Sequence, residues 1–269
     1  MTVIEETFGR LRQRNEAALI AYVTAGDPAP RYTPKIVDAL IEGGADIIEL
    51  GIPFSDPIAD GPTIQAAAVR ALRAGTTPPL VMRMTKQIKK NHEVPVVLLT
   101  YYNLIYRLGQ QNFLRLAKAN GVDGLVIPDL PFEEADEYKK EAQKEAIDTI
   151  FLAAPSTPSE RLDKILKYCS GFLYMVALFG VTGAREKLQD STITLIKRLL
   201  PATRNKIPLA AGFGISTPEH VKRVVAAGAE GAIVGSAFVK VIEQNQRTIG
   251  DATKKLRKMT HTLKMPTAR

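Results

Sequence analysis

The chain has 269 residues, 45% hydrophobic and 24% charged, proportions that suit a folded protein with a large apolar core and exclude a disordered one. Its net charge of +8 raises nucleic acid as a partner, but the lysines alternate with glutamates, as in EEADEYKKEAQKE, and no stacking aromatics interleave with them. That pattern describes solvated helix faces with a mild attraction for anionic metabolites. Cys169 is alone, which excludes an intrachain disulfide and a thiolate metal cluster. No apolar run approaches the roughly 20 residues of a membrane helix, so a cytoplasmic protein is expected.

The first residues, MTVIEETFGRLRQRNEAAL, are patterned as an amphipathic helix over 1–14, without the apolar stretch of a signal peptide. Short apolar strands then alternate with longer helical patterns. The strands are expected at 17–24, 45–50, 94–100, 124–129, 148–154, 171–177, 207–213 and 231–236. Most are nearly continuous apolar runs, as expected where both faces of a parallel sheet are covered. Helices are expected between them near 31–42, 63–74, 77–91, 109–119, 133–145, 158–169, 190–200 and 217–227, then at 236–244 and 248–263.

Helix entrances carry the right chemistry. Thr157-Pro158-Ser159-Glu160 and Ser216-Thr217-Pro218-Glu219 each offer a capping hydroxyl, a proline and an early acid, while Gly43, Gly121 and Gly228 follow helix ends where a left-handed residue is needed. Eight βα units with right-handed crossovers close into a (β/α)8 barrel, the TIM-barrel architecture, as one domain over 1–269. Helix 1–14 is added across its bottom, and a short extra helix follows the eighth strand. The competitor, an open doubly wound sheet, wants a glycine fingerprint after the first strand, and VTAGDP is a poor one.

Barrels of this kind carry their chemistry at the carboxyl ends of the strands. The second strand ends on Glu49, and the loop after it, GIPFSDPIADGP, supplies Asp60. A carboxylate that finishes a buried strand can be raised in pKa while one on a polar loop stays ionised, so the pair can divide acid and base roles. The third strand leads into Tyr101 and the fourth into Asp129; Tyr174 lies on the sixth. Three glycine loops follow strands six, seven and eight: GVTGA at 180–184, then AAGFGIS and IVGSAFVK. Thr182, Gly183, Gly212, Gly214, Gly235, Ser216 and Ser236, with the amides of the helix that starts near Ser236, describe a phosphate cradle.

No lysine stands at a strand end, which argues against Schiff-base chemistry, and His92, His220 and His261 have no metal-ligand spacing. They read as surface or internally satisfied histidines. Proton transfer by carboxylates on a phosphorylated substrate is what remains.

The segments ELGIPFSDPIADGPTIQ (49–65), LLTYYN, PDLPFEE, FGVTGAR, AAGFGIS and AIVGSAFVK resemble the tryptophan synthase alpha chain. The resemblance implies a lyase that cleaves indole-3-glycerol phosphate into indole and glyceraldehyde 3-phosphate, a retro-aldol step without cofactor or metal in this chain. It implies that Glu49 is the general acid–base, that Asp60 holds the indole nitrogen, and that Tyr174 and Tyr101 lie near the reacting centre. It also implies phosphate and glycerol contacts from Thr182, Gly183, Phe213, Gly214, Gly235 and Ser236, and apolar indole neighbours in Tyr22, Leu99, Ile127 and Ile233. A beta chain carrying pyridoxal phosphate, in an αββα assembly, is the implied partner. Two departures stand out: Tyr22 replaces the phenylalanine of many members, and Leu178-Phe179 stands where many have an arginine. Two other readings are a stand-alone indole-releasing lyase and a non-catalytic allosteric subunit that keeps the phosphate cradle.

Overall fold

A computed structural model describes residues 1–176, 190–212 and 214–269. Its strands are β1 (Ala18–Thr24), β2 (Ile47–Gly51), β3 (Val96–Leu99), β4 (Gly124–Val126), β5 (Asp148–Ile150), β6 (Leu152–Ala153), β7 (Leu173–Val176), β8 (Leu209–Gly212) and β9 (Gly231–Val234). All neighbours pair in parallel, in the order β5-β4-β3-β2-β1-β9-β8-β7-β6. The two outermost strands are halves of the single expected strand 148–154, separated by Phe151 alone. Phe151 still accepts a 2.9 Å bond from the Tyr174 amide, so the ladder runs on and the sheet wraps round into a barrel.

Alternation along each strand divides the core in two. Leu19, Ala21, Ile48, Leu50, Leu98 and Leu125 face the helices, whereas Ile20, Tyr22, Ile47, Val97, Leu99, Val126 and Ile233 fill the barrel. Both sets are buried, which is why the strands read as apolar runs.

The amino-terminal helix α1 (Val3–Gln13) starts in a capping box between Thr2 and Glu5 and buries Ile4, Phe8 and Leu11 in the barrel interior. The Thr2 hydroxyl donates to Asp148, the first residue of β5, at 2.6 Å. Helix α1 thus plugs the amino-terminal end of the barrel and leaves the carboxyl end for a site.

Around the sheet run α2 (Thr33–Glu42), α3 (Pro62–Arg73), α4 (Pro78–Lys89), α5 (Tyr102–Leu108), α6 (Gln110–Ala119), α7 (Asp136–Lys144), α8 (Ser159–Tyr168), α9 (Asp190–Thr203), α10 (Pro218–Ala226), α11 (Ser236–Gln244) and α12 (Ile249–Lys264). Helix α5 is absent from the sequence reading. Its aromatic, strand-like composition hides it, and its first amide, from Tyr102, is satisfied by the distant Asp129 carboxylate at 2.9 Å.

Three local expectations are corrected. Residues 133–134 lie in a 3-10 turn (Phe132–Glu134) ahead of α7. The left-handed residue after α2 is Gly44 (φ +104°), while Gly43 stays helical; Gly121 and Gly228 do take positive φ. Thr217 caps α10 through the His220 amide as expected, but the Thr157 hydroxyl turns away from α8 and accepts from the Ala154 amide at 2.9 Å. No helix among the described residues is long and apolar enough to cross a membrane.

Candidate active site

Parallel pairing sets Glu49 beside Tyr22 of β1 and Val97 of β3, so its side chain points into the barrel just below the mouth. It is fully buried, and neither carboxylate oxygen meets a hydrogen-bond partner among the described residues. Burial, followed by the negative charge of Asp60, pushes its pKa up to about 8. A carboxyl of this kind is protonated at neutral pH and has a proton to give.

Asp60 sits two residues ahead of α3, and the first turn of that helix holds its backbone: the Gln65 side-chain Nε2 donates to the Asp60 carbonyl at 2.8 Å. Burial raises its carboxyl to about 6, opposed by a hydrogen bond from Tyr101. Tyr101 is buried, stacks on Phe54 at 5.2 Å, and its hydroxyl accepts from the Ala59 amide at 3.1 Å. It therefore organises the loop that delivers Asp60. Both carboxyls are raised, Glu49 further than Asp60, so Asp60 is the more readily ionised of the two, although burial rather than a polar loop surrounds it.

Three of the glycines lie against tyrosines. A Cβ on Gly51 would lie 2.2 Å from the Tyr22 hydroxyl, and one on Gly212 would lie 2.4 Å from the Tyr174 ring. One on Gly235 would come within 3.1 Å of Tyr22. Gly212 and Gly235 thus make room for side chains of the protein itself, whereas Gly214 is required by its φ of +71° and has open space beside it. Tyr22 also lies 3.3 Å from the Thr24 hydroxyl. Burial, with the charges of Glu49 and Asp60, pushes the Tyr22 and Tyr174 hydroxyls far up, so both phenols stay neutral in the site.

Leu99 and Ile233 face the interior with Tyr22, as expected. Ile127 does not; it packs outward among the helices, and Val126 takes the inner position. Leu152 and Ile64 also pack with the interior set and are absent from the sequence reading; counting alternation from Gly124 and from Ile150 reaches Val126 and Leu152. Ser236 is exposed at the start of α11, where first-turn amides have no partner within the helix. His220 is buried and internally satisfied: its Nδ1 lies 3.0 Å from the Gly214 carbonyl oxygen and 3.4 Å from the Ser216 amide, which shapes the loop after β8. Thr182, Gly183, Phe213 and the Leu178-Phe179 departure lie outside the described residues. Among the described residues no three His, Cys, Asp or Glu side chains are grouped to hold a metal ion.

The family model of the tryptophan synthase alpha chain matches residues 8–268. The chain belongs to that family. It is 49% identical over 245 residues to the tryptophan synthase alpha chain of Solibacter usitatus, covering 91% of each chain, and 45% identical over 243 residues to that of Arabidopsis thaliana, covering 90% of this chain and 88% of the other. Among solved structures, the alpha subunit from Legionella pneumophila superposes with a TM-score of 0.89 at 35% identity, covering 99% of this chain and 98% of that one. A chain of the tryptophan synthase a2b2 complex from Pyrococcus furiosus superposes with a TM-score of 0.86 at 46% identity, covering 93% and 98%.

Proposed function

We infer that the chain is a lyase of tryptophan biosynthesis that cleaves indole-3-glycerol phosphate to indole and glyceraldehyde 3-phosphate by carboxylate acid–base catalysis. The observation that carries this reading is Glu49: fully buried, without a partner among the described residues, raised to about 8, and close enough to Asp60 to feel its charge. In the first step the Glu49 carboxyl gives its proton to indole C3, and the ring becomes a cationic indolenine. Asp60, ionised above about 6, accepts the indole N–H and stabilises that cation. In the second step the Glu49 carboxylate takes the proton of the hydroxyl next to the breaking bond. That oxygen becomes the aldehyde of glyceraldehyde 3-phosphate, and the electrons of the carbon–carbon bond return to the indole ring.

The protonated indole is itself the electron sink, so this reading assigns no cofactor or metal to the chain. The phosphate falls to the amides at the start of α11, with Gly214, Gly235 and Ser236, and, by family resemblance, to Thr182 and Gly183. Tyr22, Leu99, Val126 and Ile233 provide the indole surface.

The partner in this reading is a beta chain carrying pyridoxal phosphate, in an αββα assembly in the cytoplasm. Ile58 (82% exposed), on the loop after β2, and Tyr106 (75% exposed), on α5, put apolar surface near the carboxyl ends of β2 and β3, where a partner would receive indole. Cleavage assays on wild type, Glu49→Gln and Asp60→Asn, each with and without a beta chain, test the reading. Loss of cleavage in Glu49→Gln with substrate still bound, and a rate rise in wild type on adding the beta chain, support it. An unchanged Glu49→Gln rate overturns the chemistry, and a wild-type rate that is full without a partner assigns a stand-alone lyase.

A further inference from the structure

Arg70, on α3, makes contacts that the chemistry above does not use. Its Nε and Nη2 donate to the two oxygens of Asp27 at 2.7 and 2.8 Å, and its Nη1 donates to Glu243 at 2.9 Å. The Asp27 side chain is completely buried and that of Arg70 is 18% exposed, so the bidentate pair is shielded from solvent.

The three residues belong to three carriers of the site. Asp27 follows β1, the strand of Tyr22, and its amide is tied back to the Thr24 carbonyl at 3.2 Å. Helix α3 starts two residues after Asp60 and grips it through Gln65. Glu243 lies near the end of α11, whose first turn presents the Ser236 amides about 10 Å away along a straight helix. Helices α3 and α11 pack on each other and on β1. One guanidinium therefore joins the segment that carries the indole-binding acid to the helix that faces the phosphate.

We propose that Arg70 is a positioning residue that sets the separation between the carboxylate end and the anion end of the site. The proposal rests on the lyase reading, in which one substrate reaches from Asp60 to α11. A ligand that spans both ends gains from their being held at a fixed distance, whereas a ligand that fills only one end gains nothing from it. Lysine cannot reproduce the fork, so Arg70→Lys keeps the charge and loses the geometry.

Calorimetric titration with three probes tests this: indole, glycerol 3-phosphate, and 3-(indol-3-yl)propyl phosphate, which spans the site and cannot be cleaved. In Arg70→Lys, with folding verified by circular dichroism, the spanning probe is expected to bind about tenfold more weakly while both half-site probes stay within about twofold of wild type. Glu243→Ala leaves the buried pair whole and is expected to shift the spanning probe about threefold in the same direction; it carries the test alone if Arg70→Lys does not fold. Equal affinity for the spanning probe in the variant that decides, or a proportionate loss for all three probes, overturns the clamp. Failure of wild type to bind the spanning probe would instead overturn the lyase reading.

Discussion

Glu49, at the open end of the barrel, is treated differently from the acids at the closed end, and from Asp27 after β1, which Arg70 pairs. At the closed end each one is paired: Asp46 accepts from Lys264 at 2.9 Å and from the Leu19 amide at 2.7 Å, Asp123 from Lys89 at 3.1 Å and the Val96 amide at 2.8 Å, and Asp148 from Thr2 at 2.6 Å. At the open end Glu49 is more deeply buried than any of them and has no partner among the described residues. The closed end spends its acids on holding strand starts to helices. At the open end, an acid kept out of water and out of reach of a donor retains a proton and stays free to move it.

The largest effect that can break this contrast is on activity. Glu49→Gln keeps the shape of the side chain but cannot shuttle a proton, so the cleavage rate is expected to fall about a thousandfold or more, with binding of a non-cleavable analogue retained. Asp46→Ala is the matched change at the closed end. It is expected to cost about 2 kcal/mol of stability in denaturant unfolding, by leaving Lys264 short of a partner, while activity per folded molecule is unchanged. A reversal of these two outcomes would erase the division between Glu49 and the paired acids.

The pH dependence of stability sharpens the contrast. Between the ordinary glutamate pKa of 4.5 and about 8, Glu49 is protonated in the folded chain and ionised in the unfolded one. The folded state then binds the extra proton, so this group makes stability fall as pH rises, by up to about 1.4 kcal/mol per pH unit. Glu49→Gln removes that slope. Its melting temperature relative to wild type is expected to climb from pH 5 to pH 8, and a constant difference across that range would contradict the burial argument.

Smaller effects follow from the pairing of the two acids. With Asp60 ionised above about 6 and Glu49 protonated below about 8, kcat/KM is expected to be bell-shaped between those limits. Asp60→Asn flattens the acidic limb of whatever activity survives; an acidic limb that persists unmoved would assign it to another group. Smallest of all is Tyr22→Phe. The hydroxyl touches Thr24 rather than either carboxylate at hydrogen-bond distance, so a change of no more than about threefold in KM is expected, measured by steady-state cleavage.

How much of this was visible in the linear chain depends on how local each determinant is. The strands were legible because burial on both faces writes them as apolar runs, and Glu49 and Asp60 because a strand end and its loop lie within a dozen residues. Helix α5 was not, since Asp129 holds its first turn from 27 residues away. Ile127 was placed inside by a slip of one position, which in a strand moves a side chain to the opposite face. That Gly212 and Gly235 also make room for Tyr174 and Tyr22 is not legible in the sequence, because it needs neighbours in space. Arg70 looked like any basic residue on a helix, because both of its partners are remote in sequence.

The most direct measurement is a carbon-13 NMR titration of glutamate side-chain carboxyls, with the Glu49 signal assigned by its loss in Glu49→Gln. A midpoint near 8 is the expected result. A midpoint near the ordinary 4.5 would mean that Glu49 is ionised at neutral pH and has no proton to deliver.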